Sequence, residues 1–410
     1  MTPRTSPYPP AATYHGPEGN TRLLAAGPTA SLATHLRVFG PMDPARIDAS
    51  LIDELQDAGL SGRGGAAFAS WRKLAATAGS GRALLPGRRA VVIANGAEGE
   101  PLSFKDKTLL ANAPHLVIDG LLACGRAVRA TSLYLYATTA QRPVIERALA
   151  QRTDARRITV AEAPERFISG EASAVVNQLA NGIALPMDKA LRLSESGFRG
   201  RPTLVLNLET MAHIGLIARF GAAWFRSAGT DGDPGTRLLS LSGSGAQQVL
   251  EVPGGAVLGE VLDSVGIKRG QVQAVLVGGY HGRWTASLDL ALSPGGEPEM
   301  NVRPGAGVLH VLPPGRCGLV QTAGIVEYLA GESARQCGPC MYGLPAMART
   351  LRAIASRDAS PQSIDELRRL GALVGGRGAC HHPDGTLQLV NSALETFAGE
   401  IRRHMAGGCL

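Results

Sequence analysis

Aromatic residues make up only 4% of this 410-residue chain, and charged residues only 18%. Its lysines and arginines form no cluster and no aromatics are interleaved with them, so the net charge of +7 is spread out and nucleic-acid binding is not expected. An acidic protein is a better-motivated partner for a basic surface. No stretch reaches the roughly 18 uncharged apolar residues that a membrane helix needs, and the proline-rich start lacks a charged-then-apolar signal pattern. A cytoplasmic protein without a membrane span is therefore expected. Cysteine is scarce as well. Cys124, Cys317, Cys337, Cys340, Cys380 and Cys409 are too few and too clustered for a disulfide scaffold, which leaves metal ligation as the leading reading for the clustered ones.

What is present allows extensive burial. Hydrophobic residues reach 44%, the balance of a folded chain, and the length predicts two or three domains. Residues 1–40 are rich in Pro, Gly, Thr and Ala without a period and read as a flexible arm. Ser50 with Asp53, the stripe Leu51, Ile52 and Leu55, and the stop at Gly59 predict a short helix leading into a glycine-rich loop. Strand-like runs at Ala90–Ala94, Ser132–Tyr136, Arg157–Val160 and Thr203–Leu206 alternate with helical runs at Leu116–Ala127 and after Pro143. That alternation predicts an α/β layer with a largely parallel sheet over residues 41–238. Runs at Gln248–Val252 and Gln273–Val277, with one helix near Leu258–Val265, read as a small β-rich domain over 239–308. From 309 to 410 the chain turns helical. Ile325–Leu329, Leu344–Ala355, Ser363–Val374 and Leu387–Met405 carry apolar residues at three- and four-residue spacing, which predicts a four-helix bundle.

Several segments of the α/β layer carry candidate chemistry. In Gly59–Lys73, Gly62, Gly64 and Gly65 remove side chains so that backbone N–H groups can approach a phosphate or a flat ring, and Arg63 and Lys73 add positive charge. A helix rather than a strand precedes them, which argues against an ordinary dinucleotide fingerprint, and a plain surface loop competes. In Val91–Asp106 a buried strand ends in Asn95, Glu98 and Glu100. These polar groups sit at the carboxyl edge of a sheet, where open α/β folds bind ligands; a solvated acidic turn competes. Phe167–Ala174 offers Gly170 and Glu171, and Pro202–Thr210 offers Asn207 and Thr210, next to apolar strand ends.

In this order the segments resemble the flavoprotein subunit of respiratory NADH dehydrogenase, the 51-kilodalton type, with its relatives in NAD-reducing hydrogenases and NAD-linked formate dehydrogenases. The family's GLRGRGGAGFPTGLKW corresponds to Gly59–Leu74, its NADESEPGTFKDR to Asn95–Lys107, its YICGEETAL to Phe167–Val175 and its PTLVNNVET to Pro202–Thr210. The resemblance runs from about residue 45 to the C-terminus. It implies a Rossmann-like FMN- and NADH-binding layer, a small ubiquitin-like β-grasp domain and a helical iron–sulfur bundle. It also implies Gly62, Gly64, Lys73, Asn95, Glu100, Gly170, Glu171, Val205, Asn207 and Thr210 as cofactor residues. Glu98 and Glu100 are the carboxylates expected to position the nucleotide or discourage product retention. The implied activity passes hydride from NADH to FMN, then single electrons through a [4Fe-4S] cluster to a ferredoxin-like or thioredoxin-like iron–sulfur subunit, in a complex docked at the inner face of a membrane. Ala97, Gly99, Ala172 and Leu206 replace the family's Asp, Ser, Glu and Asn. Those losses of polar groups open a second reading, a ferredoxin-linked electron relay without efficient NADH binding.

Cys337-Gly-Pro-Cys340 and Cys380 lie among the predicted C-terminal helices, where thiolates can converge on one iron–sulfur cluster. A redox pair and half of a zinc site are the competing readings. The family's ESCGKCTPCREG corresponds to Glu332–Gly343 and its later TICALG segment to the stretch around Cys380, so its first ligand is Ala334 here and three cysteines remain. His381, His382 or Cys317 can supply the fourth ligand, or that position stays open; Cys124 and Cys409 read as structural.

Overall fold

In a computed structural model that describes residues 11–13, 21–28, 31–81, 88–187, 191–245, 247–295 and 302–409, the chain opens with β1 (Ala11–Thr13), α1 (Leu32–Phe39), α2 (Leu51–Ala58) and α3 (Ser70–Ala78). An α/β layer follows: β2 (Val91–Gly96), α4 (Lys105–Asn112), α5 (Pro114–Ala127), β3 (Ser132–Ala137), α6 (Arg142–Ala150), β4 (Ile158–Glu162), α7 (Ala172–Asn181), β5 (Thr203–Asn207) and α8 (Leu208–Arg226). A mainly β unit comes next, with β6 (Gly229–Thr230), β7 (Asp233–Pro234), β8 (Thr236–Ser242), β9 (Gln248–Pro253), α9 (Leu258–Ser264), β10 (Ala274–Val277), β11 (Arg283–Thr285) and β12 (Val308–Leu312). The C-terminal region is helical: α10 (Gly318–Gly331), α11 (Leu344–Ser356), α12 (Ser363–Val374), α13 (His382–Thr396) and α14 (Ala398–Met405).

The run Val91–Ala94 is apolar throughout because β2 is an inner strand of a parallel sheet and is buried on both faces. The strand order is β4-β3-β2-β5, all parallel. Strands β2, β3 and β4 progress outward, and β5 then returns to the opposite side of β2. This reversal brings two carboxyl ends together, with Asn95 registered against Asn207, and open α/β sheets bind ligands at such a crevice. Leu116, Leu121, Met211 and Leu216 of α5 and α8 cover one face, while Val175, Val176 and Phe198 cover Ile93, Tyr136 and Val205 on the other. The two helices meet backbone to backbone, and a Cβ on Gly120 would lie 1.7 Å from the Met211 carbonyl oxygen.

The middle sheet runs β1-β9-β8-β12-β10-β11. Alternate residues of β10 serve two cores. Val275 and Val277 pack with Leu258 and Val261 of α9, whereas Ala274 and Leu276 pack with Leu319, Val326 and Phe397 of the helical region.

The structure revises several expectations. Residues 1–10, 14–20 and 29–30 of the expected arm lie outside the described residues, and the remainder of 1–40 is anchored. β1 pairs in parallel with β9, Ser31 caps α1 by accepting from the Thr34 N–H at 3.2 Å, and the N–H groups of Arg22, Leu23 and Leu24 donate to the buried Glu251 carboxylate at 3.1, 2.8 and 3.0 Å. The longest described helix, α8, was not foreseen, because its burial through Leu208–Ile217 leaves no polar stripe in that stretch to reveal the period. The strands of the mainly β unit reach beyond 239–308, from Gly229 to Leu312. Leu387–Met405 is not one helix: α13 starts earlier, at His382, and the chain breaks at Phe397, whose ring sits against Gly318. The helical region therefore has five described α-helices rather than four. Among the described residues no single helix is long and apolar enough to cross a membrane.

Two glycine substitutions are expected to move stability in opposite directions. Gly120→Ala should destabilise the fold by about 3 kcal/mol or more by forcing α5 and α8 apart. Gly324→Ala, inside α10 with open space around it, should stabilise by up to about 1 kcal/mol through helix propensity. Urea unfolding followed by circular dichroism measures both.

Candidate functional site

The glycine-rich loop between α2 and α3 closes on itself. The Gly62 N–H donates to the Phe68 carbonyl at 2.9 Å and the Ser70 N–H to the Leu60 carbonyl at 3.0 Å, leaving Gly64, Gly65 and Ala66 exposed. Gly65 is left-handed at φ +103°, and a Cβ on Gly64 would come within 3.1 Å of the Asn207 Cβ. The loop thus lies against the end of β5, at the crevice. Arg63 faces the other way. Its guanidinium is buried and donates to Asp233 Oδ1 and the Pro234 carbonyl, each at 3.1 Å, while its N–H donates to Thr210 Oγ1 at 2.9 Å. Arg63 and Thr210, both expected at the cofactor, therefore anchor the loop to α8 and β7.

On the β2 side, Asn95 Nδ2 donates to the Gly170 carbonyl at 2.9 Å and Asn95 Oδ1 accepts from the Ala97 N–H at 3.1 Å. Gly170 lies so close that a Cβ there would be 2.8 Å from the Ala97 carbonyl oxygen. Val205 is buried within β5. The acidic residues divide by role. Glu98 caps α4, accepting from the N–H groups of Asp106 and Lys107 at 3.0 and 3.2 Å and from Ser103 Oγ at 2.6 Å. Glu171 caps α7, accepting from the N–H groups of Ser173 and Ala174 at 2.8 and 2.9 Å. Glu100 instead reaches the middle unit, where it accepts from the Tyr280 N–H at 2.7 Å. Glu100 keeps part of its surface accessible while lying deep among protein atoms, and burial pushes its carboxyl up to about 7, helped by Glu98 and opposed by the N–H groups of Tyr280 and Leu102.

Lys73, half-buried on α3, has its pKa lowered by burial and only partly restored by Glu171; it has no ion-pair partner among the described residues. Three residues that the motif reading passed over form the floor beside Asn207. Lys105 Nζ donates to Asp106 Oδ1 at 2.8 Å and Asn207 Oδ1 at 3.2 Å and pairs with Glu209 Oε2 at 2.9 Å. Burial alone would lower the pKa of this ammonium, but Asp106 and Glu209 outweigh it and raise it. Lys105 and Asp106 lie in one matched motif and Glu209 in another, and only the fold brings the two together.

Cys340 lies in a π-helical turn, Pro339–Gly343, and Cys337 just precedes it; such a turn is a local irregularity frequent at functional sites. Cys337 and Cys340 are hydrogen-bonded to each other, and Cys380 is close enough to Cys340 to influence its ionisation. Burial opposes ionisation of Cys337, but the N–H groups of Ala379 and Cys340 and the Cys340 thiol outweigh it, so its pKa is lowered while that of Cys340 is raised. The two cysteine segments therefore do converge. The candidates for a fourth ligand do not join them in the same way. His382 is buried with both nitrogens engaged, one with the Leu329 carbonyl at 2.8 Å and one with His281 Nε2 at 3.2 Å, and His381 is exposed. Cys317 precedes α10, whereas the cysteine motif follows it, about 20 Å of helix away.

Phe167–Gly170, a single 3-10 turn, spans both sites. Its Gly170 carbonyl is bonded to Asn95, while its Phe167 N–H donates to Glu332 Oε2 at 3.0 Å, beside the cysteine motif. The Phe167 ring packs against His281, His382 and Tyr328.

The family model of the Nuo51 FMN-binding domain matches residues 55–216, and that of the NADH-ubiquinone oxidoreductase-F iron–sulfur binding region matches residues 320–404. A NADH-quinone oxidoreductase subunit of Salmonella typhimurium is 28% identical over 380 residues, covering 86% of this chain and 83% of that protein. NADP-reducing hydrogenase subunit HndC of Solidesulfovibrio fructosivorans is 27% identical over 380 residues, covering 87% and 76%. A chain of an NAD+-reducing [NiFe]-hydrogenase, solved in the air-oxidized state, superposes with a TM-score of 0.83 at 26% identity over 94% of this chain and 67% of that one. With both of its characteristic regions matched in order, the chain belongs to the family of the 51-kilodalton flavoprotein subunit of NADH:quinone oxidoreductase.

Proposed function

We propose that this chain is the electron-input subunit of a multi-subunit oxidoreductase, oxidising NADH at an FMN site and passing electrons through a [4Fe-4S] cluster to a partner subunit. The observation that carries this reading is the Phe167–Gly170 turn, which touches the crevice at one end and the cysteine motif at the other. Four residues of chain span at most about 14 Å, so groups held at its two ends are near neighbours. The division into a flavin layer, a β-grasp-like spacer over the middle sheet and an iron–sulfur bundle belongs to the same proposal.

The crevice chemistry fits a flavin nucleotide. A half-buried ammonium without an ion-pair partner among the described residues, Lys73, calls for an anion or an electron-rich ring, and the exposed Gly64–Ala66 tip lets backbone approach a flat ring or a phosphate. Gly62, Gly64, Gly65 and Lys73, with the strand ends at Asn95, Val205 and Asn207 and the Gly170–Glu171 turn, are the residues proposed to hold it. A flavin bound there would supply the exchange of a two-electron donor for one-electron acceptors. Cys337, Cys340 and Cys380 are proposed as the thiolate ligands of the cluster, with the fourth position open, because Ala334 carries no donor atom. Glu100 is a carboxylate that exchanges a proton near neutrality at the seam between crevice and middle unit, so its charge adjusts the field on a bound nucleotide. Arg63, Glu98 and Thr210 act indirectly, by fixing the loop and α4.

Two experiments test this assignment. Anaerobic NADH titration of protein reconstituted with FMN, iron and sulfide is expected to bleach the flavin absorbance. Lys73→Met should weaken FMN retention at least about tenfold, and Cys340→Ser should leave bleaching intact while abolishing transfer to an iron–sulfur protein acceptor. A flavin spectrum unmoved by NADH would sink the NADH-oxidising role and leave the ferredoxin-linked relay. The second concerns pH. Because the folded-state pKa of Glu100 lies above its ordinary 4.5, the stability linked to its neutral form is complete below about pH 4.5 and is lost as pH rises through 7. Glu100→Gln is therefore expected to raise the thermal midpoint relative to wild type at pH 8, corresponding to about 1–3 kcal/mol, and to change little at pH 4.5. An equal effect at both values would remove Glu100 as a titrating group.

A further inference from the structure

Cys317, His404 and Cys409 come together at the end of α10 remote from the cysteine motif. One ligand atom from each lies within 4.8 Å of the others. His404 Nε2 is 3.5 Å from Cys317 Sγ and 3.2 Å from Cys409 Sγ. The opposite ring nitrogen, Nδ1, is 3.0 Å from the Ile354 carbonyl oxygen of α11. A carbonyl only accepts, so Nδ1 carries the proton and the Nε2 lone pair is directed at the two sulfurs. His404 is only 3% exposed, and an imidazole fixed by a backbone carbonyl in one tautomer is the usual arrangement of a metal-bound histidine.

We propose that Cys317, His404 and Cys409 form a zinc site. The donor set is two thiolates and one imidazole, which suits zinc. The spacing suits a single ion rather than a cluster. Tetrahedral zinc with Zn–S near 2.3 Å and Zn–N near 2.0 Å puts its nitrogen and sulfur ligands roughly 3.5 Å apart, close to the separations found here. Glu400 fixes the start of α10 beside Cys317 without completing the site. Its Oε2 accepts the N–H groups of Gly318 and Leu319 at 2.8 and 3.3 Å and the Cys317 thiol at 3.3 Å, so the fourth position falls to water on the side of the exposed Cys409. Binding exchanges two S–H bonds for two Zn–S bonds, and both protons leave to solvent. The ion would tie α14 and the tail after it to the start of α10, with α11 held through Ile354.

The site does not depend on the flavin or the cluster, so its test is separate from that of the oxidoreductase reading. Full-length protein with its iron–sulfur content reconstituted would be titrated anaerobically with zinc, with zinc counted by elemental analysis and its ligands read by zinc X-ray absorption. The expected result is one zinc per chain with two sulfur and two nitrogen or oxygen neighbours, and a loss of affinity of at least about a hundredfold in Cys409→Ser, with iron and sulfide counts unchanged. Cys409 is exposed, so that variant leaves the fold in place; Cys317→Ser, at a half-buried position, is the second variant. Zinc that fails to bind, zinc with three sulfur neighbours that is indifferent to Cys409→Ser, or a Cys317–Cys409 disulfide in the anaerobic mass spectrum would each overturn the proposal.

Discussion

The ammonium of Lys105 lies between Asp106, Glu209 and Asn207, and these groups connect parts of the chain that are otherwise separate. Asn207 ends β5 and caps α8, Glu209 accepts the Leu238 N–H of β8 at 2.8 Å, and the lysine itself starts α4, which Glu98 caps from the end of β2. One buried charge cluster therefore sets the crevice floor, the start of the helix behind it and the attachment of the middle sheet. Breaking such a cluster by removing one member costs on the order of 3–5 kcal/mol, because the remaining charges stay buried without compensation. The asparagine is positioned by this balance as much as by its own strand.

Around that floor the polar residues divide between holding and contacting. Arg63, Glu98, Glu171 and Thr210 satisfy backbone or ionic partners within the protein, which keeps the glycine loop and two helix starts rigid. Lys73 has no ion-pair partner among the described residues and the loop tip is exposed, as the proposed ligand contacts require. The side chains missing relative to the family, at Ala97 and Ala172, lie beside Asn95 and Glu171. The crevice has kept its scaffold and lost some of its donors, which favours retained flavin binding with altered nucleotide contacts.

Much of this was readable before the fold was known. The strands β2 to β5 and the helix before the glycine loop follow from local apolar patterns, although Ser50 makes no side-chain cap to that helix, and convergence of the three cysteines follows from motif order. What escaped was non-local or lacked a period. The described part of the N-terminal stretch is fastened by partners more than two hundred residues away, the buried acid Glu251 among them, and no composition rule anticipates that. The upper half of α8 is buried all round and reads as a continuation of β5. Arg63 looked like a ligand cation because nothing in a glycine-rich string says which way its one long side chain turns. His404 belongs to no spacing pattern, since its two sulfur neighbours lie on either side of it at very unequal distances along the chain.

The two-sided burial of β10 bears on how the protein is made. Ala274 and Leu276 need the helices that end near Phe397 to cover them, so on the ribosome the nascent chain carries a bare apolar sheet face until those helices emerge. At ordinary translation speeds that interval is roughly ten seconds, long enough for chaperone capture or self-association to compete with completion of the fold.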